Sequence, residues 1–131
     1  MQTIEVKDKF ISRRLLTHAY HPLLVALYYS FDDIVPWFRK IITSAYRPGK
    51  GVHGTDPGRG IDLRCHSHWV GEYLEKKISG YWSYDITRPH KKCVIYHTST
   101  DENGYHLHLQ VHPNTKYIGE KKGGNKLRLI N

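Results

Sequence analysis

The chain has little that would tie it to a membrane, an export route or a disulfide scaffold. Its longest apolar stretch, "LLVALYYSF", is bounded by His21, Pro22 and Asp32. That falls short of the ~20 apolar residues of a membrane span, so no membrane insertion is expected. The N-terminus mixes acids and bases (Glu5, Lys7, Asp8, Lys9). It lacks the cationic start, clean apolar segment and small-residue site of a secretory signal. Synthesis in the cytoplasm without a signal peptide is the expectation. Cysteine is limited to Cys65 and Cys93. Two free thiols are the expected state, with a single disulfide as the alternative. Acidic residues are outnumbered, 12 Asp and Glu against 20 Lys and Arg, giving a net charge of +8. Such a surface favours an anionic partner, whether nucleic acid, an acidic membrane or a cell-wall polymer. No internal repeat or low-complexity linker divides the 131 residues, so 1–131 reads as a single domain. A chain of this size buries roughly two thirds of its unfolded surface and has room for a real core.

The patterning predicts helices first and then a sheet. Residues 1–16 read as a polar arm or a peripheral strand and helix. In 22–40, Leu23, Leu24, Leu27, Tyr28 and Phe31 recur at helical steps. Asp32 or Asp33 could cap a second short helix, with Pro36 in or near its first turn. "KIITSAYR" (40–47) and "GIDLR" (60–64) read as strands, "HWVGEYLEKKI" (68–78) as a helix, and "KKCVIYHTS" (91–99) as a strand. "DENG" (101–104) signals a tight hairpin turn, with "YHLHLQVH" (105–112) as the returning strand. From Pro113 the Lys- and Gly-rich tail reads as loop, ending in the short apolar segment "LRLI". The fold class expected is α+β, a small mostly antiparallel sheet with helices packed on one side.

Alternation in the last strand has a chemical consequence. Leu107, Leu109 and Val111 face one side; His106, His108, Gln110 and His112 face the other. A catalytic zinc site usually takes three protein ligands and leaves a position open. The metal then polarises a carbonyl and acidifies a water. A loop histidine (His53), a strand aspartate (Asp62) and a strand histidine (His108) could supply that set if their strands share a sheet. Ten histidines in one chain also guarantee some suggestive spacings by chance. Cys65, His66, His68 and Cys93 form a weaker second candidate, because "CHSH" lacks the ligand spacing of structural sites.

The order "ITSAYR", His53, "GRGID", "HLH" resembles the zinc D-Ala-D-Ala metallopeptidases. These peptidoglycan peptidases include carboxypeptidases, dipeptidases and phage endolysins, and their fold is related to the hedgehog signalling domain. Their pattern is a Ser-x-Tyr-Arg strand end, then His-x-x-Gly-x-Ala-x-Asp, then a late histidine. The similarity spans residues 40–112, the expected metallopeptidase core. It implies His53, Asp62 and His108 as zinc ligands and Arg47 as the cation that binds substrate and steadies an oxyanion. Ser44 and Gln110 would line the cleft as substrate-binding residues or orient the ligands through hydrogen bonds. Two positions depart from the pattern. Thr55, Asp56 and Pro57 lengthen the loop between His53 and Asp62, and Tyr105 stands where many members carry an acidic base. One branch uses His-x-His instead, which makes His106 the catalytic acid–base residue.

The resemblance thus implies a zinc-dependent hydrolase of the peptide part of bacterial peptidoglycan, of carboxypeptidase or endolysin type. It would be a monomer acting on the cell wall, bacterial or phage-encoded, with no nucleic-acid partner. Two alternatives stay open. One is a catalytically weak, zinc-containing cell-wall-binding module. The other is a His-hydrophobic-His single-strand DNA nuclease, which needs a nucleophilic tyrosine on a helix; Tyr117 is the one tyrosine after the histidine pair.

Overall fold

The computed structural model describes residues 4–49, 51–98 and 104–119. Most of the "DENG" turn and the whole "LRLI" segment lie outside the described residues. The chain runs β1 (Glu5–Val6), α1 (Lys9–Thr17), α2 (Pro22–Ile34), β2 (Ile41–Ser44), a single helical turn (Gly51–Gly54) and β3 (Gly60–Arg64). It continues through α3 (His68–Ser79), β4 (Trp82–Ser83), β5 (Val94–His97), β6 (His106–Gln110) and β7 (Lys116–Tyr117). The class is α+β with a mostly antiparallel sheet, as the patterning predicts. Its five strands lie in the order β1-β2-β3-β6-β5; only β1 and β2 are parallel. A two-stranded pair, β4 with β7, stands apart.

Each helix begins where local chemistry satisfies its free N–H groups. Asp8 accepts from the backbone N–H of Phe10 and Ile11 at the start of α1. At α2 the His21 ring accepts from Leu23, and Pro22 occupies the first turn. Ser67 caps α3 by accepting from Val70. The second short helix expected after Asp32 does not form. Both aspartates lie inside α2, because the apolar periodicity through Phe31 carries the helix past them. Val35, whose N–H donates to Phe31, ends it. A residue before proline is pushed out of the helical region, and Pro36 follows. The strands are also shorter than predicted. Tyr46 and Arg47 have left β2, and Lys91 to Cys93 precede β5.

The core lies between the sheet and helices α2 and α3. Leu27, Phe31, Leu63, Leu74, Ile78, Val94, Leu107, Leu109 and Val111 are fully buried. Cys65 and Cys93 are buried free thiols, and burial pushes the Cys93 thiol up to about 12. Lys40 is buried yet satisfied: its ammonium meets Asp32 at 2.8 Å and the Tyr28 carbonyl at 3.1 Å, over the Tyr28 ring. No described helix is long and apolar enough to cross a membrane.

Candidate metal centre

The central strand β3 sets the geometry. Asp62 is in register with Ser44 on one neighbour and His108 on the other. Leu63 turns into the core while Asp62 projects from the opposite face, as strand alternation requires. The helical turn Gly51–Gly54 then brings His53 over that face, held where the Arg47 N–H donates to the His53 carbonyl at 3.0 Å. The loop can close so tightly because residue 54 is glycine. A Cβ there would meet the Arg47 oxygen and the Gly49 nitrogen at 2.8 Å.

Three predicted ligands meet as a result. One ligand atom from each of His53, Asp62 and His108 lies within 4.8 Å of the others. Asp62 Oδ1 is 2.9 Å from His108 Nδ1 and 3.3 Å from His53 Nε2. His53 and Asp62 are buried and His108 is half-buried. Burial would raise the Asp62 carboxyl, but the hydrogen bonds and positive charge of His108 and His53 outweigh it and hold the group well below the usual carboxylate range. The site therefore offers a fixed anion and two imidazoles, a donor set that could hold a metal ion. It is the one such group among the described residues.

The surrounding side chains add detail. Gln110 is buried. Its Nε2 donates to the Lys92 carbonyl at 2.8 Å, which turns Oε1 toward His108 Nε2 at 3.2 Å. His108 Nε2 is thereby the donor in that contact, and Nδ1 is the nitrogen that faces Asp62. His53 Nδ1 is buried without a hydrogen-bond partner. Arg47 reaches toward the far carboxylate oxygen, 3.9 Å from Asp62 Oδ2, while its own Nε is buried and unpartnered. His106 sits beside that oxygen too, with Nε2 at 3.8 Å and Nδ1 2.9 Å from the Gly104 carbonyl. Ser44 is buried on β2 beside Asp62.

Other candidates fall elsewhere. His112 is 3.9 Å from Asp85 and accepts from the Asn114 N–H. Cys65 contacts the Ser67 carbonyl, and His68 packs edge-on to Tyr96 and Tyr105. Tyr117 lies on β7 against Tyr81 and Trp82, not on a helix. Sequence reasoning missed His97. It is exposed at the end of β5, in register with His106, its ring 5.1 Å from that of His106 and 5.9 Å from that of His108. Partial desolvation by its neighbours, then the charges of His106 and His108, lower its pKa. The signal was present in the alternation of "VIYH", which puts His97 on the face opposite buried Tyr96.

No protein-family model, curated protein or solved structure matches this chain.

Proposed function

We propose that this protein is a zinc-dependent peptidase that hydrolyses an amide bond in the peptide part of bacterial peptidoglycan, on a hedgehog-like D-Ala-D-Ala peptidase fold. The observation that carries this reading is the convergence of His53, Asp62 and His108 on one sheet face, with Arg47 and His106 at the free carboxylate oxygen. These are the residues that the motif order singles out.

Two imidazoles and a carboxylate suit zinc, which takes nitrogen and oxygen ligands and keeps an open position in catalytic sites. When bound, it would supply a Lewis acid for the carbonyl and lower the pKa of a water. The chain's own residues do the rest. Arg47 places a fixed cation where the carbonyl oxygen gains negative charge. His106 Nδ1 faces the Gly104 carbonyl, which can only accept, so in the neutral imidazole Nδ1–H donates there and the Nε2 lone pair faces the site. That nitrogen can take a proton from an attacking water and return it to the departing amine. The +8 surface suits an anionic wall.

A second reading, a zinc-containing wall-binding module without turnover, is favoured by Tyr105. It stands at the position of the acidic base and packs on His68 and Tyr96. Incubation with purified peptidoglycan separates the two. The peptidase releases new amine ends, loses that activity to a chelator and regains it with zinc. Binding to the wall without new amine ends would select the module.

A further inference from the structure

Three of the largest exposed apolar side chains lie together. Trp69 is 75 % exposed, Trp37 57 % and Tyr73 40 %. Trp69 and Tyr73 are one turn apart on α3, with ring planes within 8° of parallel and centroids 6.3 Å apart. Trp37, from the connection between α2 and β2, continues the row 6.1 Å from Tyr73. None of these rings belongs to the core cluster. A contiguous aromatic surface left in water is costly and marks a recognition site.

Beside it runs a groove of about 310 Å³ lined by Trp37, Arg39, Arg64, His66 and Val70 among others. Arg39 is committed to Glu5. The Arg64 side chain has no hydrogen bond or ion pair among the described residues and is exposed. This arginine is also the residue that follows Asp62 on the same face of β3, about 7 Å along the strand. Arg64 is thus shared by the groove and the strand that carries Asp62.

We propose that this shelf and groove bind the amino-sugar chain of the polymer whose stem peptide enters the metal centre, an inference that rests on the wall-peptidase reading for its choice of ligand. Sugar rings present flat C–H faces that pack on aromatic rings, and hydroxyl and acetamido oxygens that accept hydrogen bonds. The row supplies the first; Arg64 and His66 supply donors for the second. Flat apolar faces with a few polar side chains among them are the lining of a ligand groove. A single-stranded nucleic acid would need cations along its backbone as well as stacking platforms. Of the cations that line this groove, Arg39 is held by Glu5, which leaves Arg64 alone.

The test is calorimetric titration of the full chain with a short N-acetylglucosamine oligosaccharide, with and without chelator. The shelf binds it in both conditions. Trp37→Ala and Trp69→Ala each weaken binding by about tenfold or more, and Trp69→Phe, which keeps a flat face, recovers part of it. Both tryptophans are surface residues, and circular dichroism of each variant checks the fold. No saccharide binding by a protein that does cleave peptidoglycan overturns the shelf and leaves the peptidase reading intact. Saccharide binding that depends on the tryptophans, in a protein that cleaves nothing, upholds the shelf and sinks the peptidase. Binding of oligothymidylate but not saccharide, lost in the same variants, overturns the proposal in favour of nucleic acid.

Discussion

Gln110 holds His108 from behind. The two side chains lie on the same face of β6, with His108 Nε2 3.2 Å from Gln110 Oε1, and the Gln110 amide is fixed in turn by the Lys92 carbonyl. Such a hydrogen bond sets the tautomer and aim of a ligating histidine, and its loss typically costs 10–100-fold in metal affinity. Gln110→Ala should therefore weaken zinc binding by about that factor in competition with a chromophoric chelator. A variant that binds zinc as tightly as the parent but handles substrate poorly would instead place Gln110 against the substrate.

Gly71 sets how closely α3 approaches β5. A Cβ at this position would lie 2.4 Å from the ring of Tyr96, which is buried and cannot swing away. Helix propensity favours alanine over glycine by about 1 kcal/mol, but overpacking costs about 1–3 kcal/mol. The clash should win, and Gly71→Ala should lower the midpoint of urea unfolding. A raised midpoint would show that α3 can shift outward at little cost.

Glu75 closes the exposed edge of the sheet. Its carboxylate accepts from the Tyr96 N–H at 2.9 Å and from Lys92 Nζ at 2.6 Å. Burial acts to raise its pKa, yet the Lys92 and Tyr96 hydrogen bonds prevail and the net shift is downward. A depressed folded-state pKa means that stability is present above the ordinary glutamate value and is lost as pH falls through the folded one. Glu75→Gln should cost roughly 1 kcal/mol at neutral pH, and the gap to the parent should close as pH falls below the ordinary glutamate range and through the lowered folded value. A gap that is independent of pH would assign the effect to packing.

How much of this was legible in sequence differs by element. The strand "GIDLR" and the helix from His68 have sharp signals, an alternating pattern and a helical apolar period, and both are found within a residue of their predicted bounds. The His53, Asp62 and His108 group was legible through the motif order that resembles the zinc peptidases, since alternation alone leaves His106 and His112 on the same face as His108. The failure at Asp32 and Asp33 came from weighing two capping residues above an apolar period that continued through Phe31. The pairings of β1 with β2 and β4 with β7 depend on contacts between distant segments, which no local pattern encodes. For His97 the alternation of "VIYH" gave the face, but its neighbours His106 and His108 are set only by the register of β5 on β6.

The most direct measurement is zinc content together with turnover in one preparation. Untagged protein, His53→Ala and His108→Ala are each reconstituted, assayed for bound zinc and incubated with purified peptidoglycan. The account predicts one zinc per chain in the parent, and loss of both metal and amine-end release in each variant. A parent chain that takes up no zinc, or variants that still cleave the wall, would contradict it.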